Sequence, residues 1–195
     1  MKRRLLLAAS TAAVVGTTAT AASAAPAWRG APGTSGVHLR WLGNNAWEIT
    51  FGTTTILVDP WLTRFLTGTY SPAGIRLDTR LTVDPSKIDP YVSRASVILV
   101  CHGHYDHMTD VPYIATKTGA PVLGTESHHN MLRALDAPAA QLCTVRGGEY
   151  LQYPGYTIEV FESVHSMVGA HKQVPIPGTR PGAVPPRPQT VAELV

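Results

Sequence analysis

Near the middle of the chain, Cys101-His102-Gly103-His104-Tyr105-Asp106-His107 carries three imidazoles and a carboxylate in the order H-x-H-x-D-H. The motif follows Ala95–Cys101, a nearly continuous apolar run of the kind expected of a strand covered on both faces. The run demands packing from two sides, and the motif then sits where the strand ends. Neutral imidazole and carboxylate are ligands suited to zinc and iron. In extended backbone, residues i and i+2 point the same way. His102 and His104 can therefore grip one metal ion, while Asp106 and His107, following at a turn, can point at a second.

The rest of the chain supplies a scaffold of short strands and helices. Val37–Trp41 and Ala46–Phe51 flank the turn residues Gly43-Asn44-Asn45, a hairpin signal. A third strand, Thr54–Val58, stops at Asp59-Pro60, and residues 61–90 show no clear period. A helix is expected from Thr109 or Asp110 as N-cap to Gly119, with Pro112 in its first turn. Pro121–Gly124 reads as a short strand, Ser127 as the cap of a second helix running to Leu135, and Cys143–Arg146, Tyr150–Tyr153 and Tyr156–Val164 as strands. Six prolines and two glycines between Val174 and Gln189 make a loop, and Thr190–Val195 reads as the opening of another element.

The amino terminus has the layout of a secretory signal peptide. A positive start, Met1–Arg4, precedes apolar Leu5–Val15 and an Ala22-Ser23-Ala24 cleavage site. Arg3-Arg4 before Leu5-Leu6-Leu7 also resembles a twin-arginine signal, so both export routes stay open. This divides the chain into a leader at 1–24, a flexible Ala/Pro/Gly-rich lead-in at 25–36 and a domain from 37 to 195. An exported destination, extracellular or in the periplasm or cell envelope, is implied. No apolar run long enough to span a bilayer lies beyond the leader, so no stable membrane span is expected.

Charge excludes a further class. The net charge is +3, but three of the sixteen Lys and Arg residues belong to 1–24, which holds no acid. The remainder is balanced at thirteen of each sign. With no basic stripe, nucleic acid is not an expected partner; a small-molecule substrate is. Two cysteines, Cys101 and Cys143, are too few for a disulfide scaffold. On the strand order 95–101, 121–124, 143–146 they lie two strands apart, and we expect two free, buried thiols.

The hairpin, the strand ending in Asp59-Pro60, the strand feeding H-x-H-x-D-H and the strand ending in His165-Ser166 together resemble the metallo-β-lactamase superfamily of hydrolases. The wording of Ile56–Pro60 and of the His motif is most similar to its lactonase and phosphodiesterase-like branches. The resemblance implies an α/β fold, a four-layer αββα sandwich with a metal site at one sheet edge. It implies a first metal on His102, His104 and His165, with Asp106 and His107 holding part of a second. His165 alone would be ambiguous; its position at the next strong strand end makes it an expected ligand. Members add a bridging Asp and a last His further along, and residues 166–195 contain no Asp, so the second half of the sandwich is expected to be missing from this chain.

The function expected from these residues is that of a secreted hydrolase with one or two zinc ions, iron or manganese being alternative occupants. Metal-bound hydroxide would attack an ester, lactone, amide or phosphodiester, with Asp106 orienting it and accepting its proton. Two other readings stay open: a mononuclear iron oxygenase acting on sulfur, and an inactive metal-binding fragment. Among secondary residues, Asp59 is either a turn former or a hydrogen-bonding support for a ligand histidine. His128-His129 is expected to face solvent in the first turn of its helix, His171 to be a plain loop residue, and Trp41, Trp47 and Trp61 to pack in the core or at its edge.

Overall fold

The computed structural model describes residues 36–163 and 182–194. The leader, the lead-in up to residue 35, His165 and His171 lie outside them. The chain opens with three antiparallel strands, β1 (His38–Gly43), β2 (Ala46–Phe51) and β3 (Thr54–Val58). After a long excursion holding the one-turn helix α1 (Pro85–Ile88), β4 (Val97–Leu99) returns parallel to β3. Helices α2 (Tyr105–Met108) and α3 (Val111–Thr118) lead to β5 (Val122–Gly124), and α4 (Glu126–Ala134) leads to β6 (Leu142–Thr144). These six strands form one sheet in sequence order, parallel from β3 onward. Strands β7 (Tyr150–Tyr153) and β8 (Tyr156–Glu159) pair as a separate hairpin sheet.

Side-chain alternation along β3, β4 and β5 decides the layers. Leu57, Ile98 and Val122 face a large core shared with Met108, Ile114, Leu132 and Ile88 from the helices. Their neighbours Ile56, Val97 and Leu123 face the opposite way, into a smaller cluster closed by Leu151, Tyr156 and Ile158 of the hairpin. The result is helices, a mixed sheet and a second sheet stacked in order. These are consecutive layers of the α/β sandwich that the motif resemblance implies. No helix among the described residues is long and apolar enough to cross a membrane.

Several local expectations shift. The strand read as Ala95–Cys101 is regular only over Val97–Leu99, with Ser96 N and Val100 N still bonded to Thr55 O and Leu123 O, and the histidine motif leaves the sheet after it. The cap of α4 is Thr125 and not Ser127; its hydroxyl accepts from His128 N while His128 Nδ1 accepts from Thr125 N, and that reciprocal pair starts the helix two residues earlier. In contrast, α3 runs as read, from Asp110 to a left-handed Gly119. Trp61 is buried, whereas Trp41 is 62% exposed and Trp47 40% exposed, because the hairpin sheet leaves that end of β1 and β2 uncovered. Both cysteines are free as expected, but exposed instead of buried. The terminal residues form a short 3-10 turn, Val191–Leu194, that docks on residues 77–81 through Leu81 N–Gln189 O and Val191 N–Thr79 O, with Val191 and Leu194 buried in the main core.

Candidate metal centre

The H-x-H-x-D-H residues lie just past the carboxyl end of β4. His102 and His104 belong to the loop between β4 and α2, and their ring centroids stand 4.0 Å apart. His104, extended in backbone, is the N-cap of α2. That single helical turn, absent from the sequence reading, brings Asp106 and His107 round to the same rim: the His107 ring centroid is 4.8 Å from that of His102. Four of the five expected ligands, His102, His104, Asp106 and His107, are thus gathered at one sheet edge. His165 is outside the described residues. Among the described residues no three His, Cys, Asp or Glu side chains form a ready cage.

Asp59 supports the loop. Because Val58 is in register with Leu99, the residue after β3 falls beside the start of the motif. Asp59 N donates to Leu99 O, and its Oδ1 accepts from Cys101 N at 2.8 Å. Its Oδ2 lies 2.9 Å from His107 Nδ1. The approach is off the ring's N–H axis, so the two are in contact without a hydrogen bond. Asp59 thus stands in the turn after β3, at a positive φ of 42°, with its carboxylate bound to the Cys101 backbone and in contact with the His107 ring.

Three supports had no local signature. The hairpin tip between β1 and β2 reaches the motif: Asn44 Nδ2 donates to Asp106 Oδ2 at 3.0 Å, and Asn45 Nδ2 lies 3.0 Å from His107 Nε2. In sequence these asparagines signal only a turn. Asp110, fully buried, accepts from Leu62 N, Thr63 N and Thr63 Oγ1 at 2.6–2.7 Å, tying the 61–63 segment to α3. Burial pushes its carboxyl above the usual range despite those donors. Trp61, carried by that segment, packs edge-on to Tyr105 of the motif.

His128 and His129 are not the solvent-facing pair expected. His129 is only 5% exposed and contacts Thr144 Oγ1 at 2.9 Å. His128 lies beneath the motif; a Cβ added at Gly103 would come within 3.5 Å of its ring. Burial pushes its imidazole down to about 4, so it is neutral near pH 7. The pair turns inward because α4 packs against β5 and β6 at that end.

The donor set suits a metal: adjacent imidazoles, a carboxylate, and a second carboxylate beside one ring. The chain was compared with known proteins. The beta-lactamase superfamily domain profile matches residues 38–178. A UPF0173 metal-dependent hydrolase of Myxococcus xanthus is 31% identical over 80% of this chain and 49% of its own length. One from Pyrobaculum islandicum is 29% identical over 67% of this chain and 51% of its own. The chain spans about half the length of the curated relatives it matches. The structure of Igni18, a metallo hydrolase from Ignicoccus hospitalis, aligns over 71% of this chain and 53% of that one, at 22% identity and a TM-score of 0.46. With its motif at the sheet edge and the family profile covering well over half of its residues, this chain belongs to the beta-lactamase superfamily.

Proposed function

We propose that this chain is an exported metal-dependent hydrolase acting on a small ester, lactone, amide or phosphodiester. In this reading His102, His104 and His165 hold one zinc ion, and Asp106 and His107 contribute to a second. The pairing of His102 and His104 at 4.0 Å between ring centroids, beside a His107 backed by Asp59, is the observation that carries it. The names of the metal-dependent hydrolases from Myxococcus xanthus and Pyrobaculum islandicum support the reaction class. The Met1–Ala24 layout supports export.

A zinc ion held there supplies Lewis acidity and brings the pKa of a coordinated water towards neutrality. The chain's own residues do the rest. Asp106, with Oδ2 engaged by Asn44, keeps Oδ1 available to orient the attacking water and take its proton. Asp59 keeps the His107 ring turned to the rim. Tyr105 and Met108, buried in the main core, anchor the turn that presents Asp106 and His107.

The test is metal content by elemental analysis together with hydrolysis of a chromogenic ester, lactone and phosphodiester panel. We expect bound zinc in the native chain and its loss in a His102→Ala, His104→Ala double variant that keeps its circular dichroism spectrum. Equal metal content in the two proteins refutes the assignment.

A further inference from the structure

We infer that the β1–β2 hairpin tip is a clasp on the metal rim, in which Asn44 orients Asp106 and Asn45 guards the ligating nitrogen of His107. The inference rests on the assignment of Asp106 and His107 as metal ligands, and it concerns residues 62 positions away in sequence.

The tip is a built element. Asn44 takes the left-handed backbone, φ 52°, that a two-residue turn requires and that Asn tolerates better than most residues. The Trp41 indole donates to Asn44 O at 2.8 Å, giving this exposed tryptophan a structural task, and Arg64 donates to Leu42 O at the other side of the tip. So fixed, the tip sends two amides to two consecutive residues of the motif. Asn44 Nδ2 reaches both Asp106 Oδ2, at 3.0 Å, and Asp106 O, at 3.3 Å. Asn45 Nδ2 meets His107 Nε2 at 3.0 Å.

The two contacts act in opposite senses. The Asn44 bond takes one carboxylate oxygen and leaves the other, so it sets the orientation of Asp106 without blocking it. An amide nitrogen can only donate, so Asn45 Nδ2, at 3.0 Å, meets the lone-pair side of His107 Nε2, which also lies 3.8 Å from Asp106 Oδ1. That is the lone pair a metal needs. Asn45 therefore covers that nitrogen in the metal-free protein and must yield when an ion binds. Both asparagines are positioning residues.

The test compares native chain, Asn45→Ala and Asn44→Gly, the glycine being chosen because it keeps the positive φ. Zinc is titrated into each metal-free protein and followed at the His107 ring by long-range proton–nitrogen NMR. Removing a competing hydrogen bond makes Asn45→Ala bind zinc about five-fold tighter at His107, and losing the hold on Asp106 makes Asn44→Gly bind about five-fold weaker. Changes of the same sign, or none, overturn the clasp. The metal-free spectra give an independent readout. A proton on Nδ1 of His107, and an Nε2 resonance that moves in Asn45→Ala, are expected; a proton resident on Nε2 overturns the guarding role. If the native chain binds no zinc, the ligand assignment fails and the clasp with it; if it binds zinc while the two variants fail to shift affinity in opposite senses, the assignment stands and the clasp alone is overturned.

Discussion

Asp110 offers the most exacting test of how the rim is held together. Its carboxylate, with no solvent exposure, accepts two backbone N–H groups, from Leu62 and Thr63, and the Thr63 hydroxyl. Asp110→Ala leaves both N–H groups buried without an acceptor, at about 1–3 kcal/mol each. The expected loss is about 4 kcal/mol, a large share of the ~5–15 kcal/mol that stabilises a typical domain. Asp110→Asn behaves differently. Its oxygen can take the two N–H groups and its amide can donate to Thr63 Oγ1, which has a second lone pair beside the one used by Asp84 N. A loss of about 1 kcal/mol is expected there. In urea, with a slope of about 2 kcal/mol per M, Asp110→Ala lowers the unfolding midpoint by ~2 M and Asp110→Asn by about 0.5 M. The carboxyl also carries a pH signature. Its folded pKa is raised above the ordinary 3.8, so the folded state binds more protons than the unfolded state between those values. Stability therefore falls as pH rises through that window, and Asp110→Asn removes the fall. An Asp110→Ala midpoint within 0.5 M (about 1 kcal/mol) of native would refute this account of the 61–63 segment.

Asp59→Asn keeps an acceptor for Cys101 N but removes the charge behind His107, and Asn suits the positive φ of 42° at this position. Metal affinity is expected to fall about 10–100-fold by competition with a chromogenic chelator, with a melting curve near native. Gly124→Ala places a Cβ 3.1 Å from His128 Cβ, against a strand and a helix that have little room to move. It should cost about 1–3 kcal/mol in thermal or urea unfolding. The matching change under the motif, Gly103→Ala, meets the His128 ring at an ordinary 3.5 Å and should leave the unfolding midpoint nearly unchanged.

What the sequence determined by itself is whatever short-range physics encodes. The apolar run at Ala95–Cys101 announces a strand buried on both faces, and Val97 and Ile98 pack into opposite clusters. Proline inside the first turn and glycine after the last bound α3 correctly, because capping acts within a few residues. The H-x-H-x-D-H spacing brings His102 and His104 together, because in extended backbone side chains two apart share a side.

Only the tertiary structure decided what depends on contacts between distant segments. Asn44 and Asn45 look like any turn residues until the hairpin folds onto a motif 62 positions on. Asp110 looks like a helix cap, yet its side chain ties down residues 47 and 48 positions earlier in the chain. His128 and His129 begin a polar helical turn whose burial is set by the strands it lands on, and Trp41 loses its cover because the β7–β8 hairpin lies elsewhere. Local sequence carries the backbone's preferences and the spacing of donors. Which surfaces meet is fixed by burial and hydrogen-bond satisfaction across the whole fold, and that decides which polar groups hold the histidine motif in place.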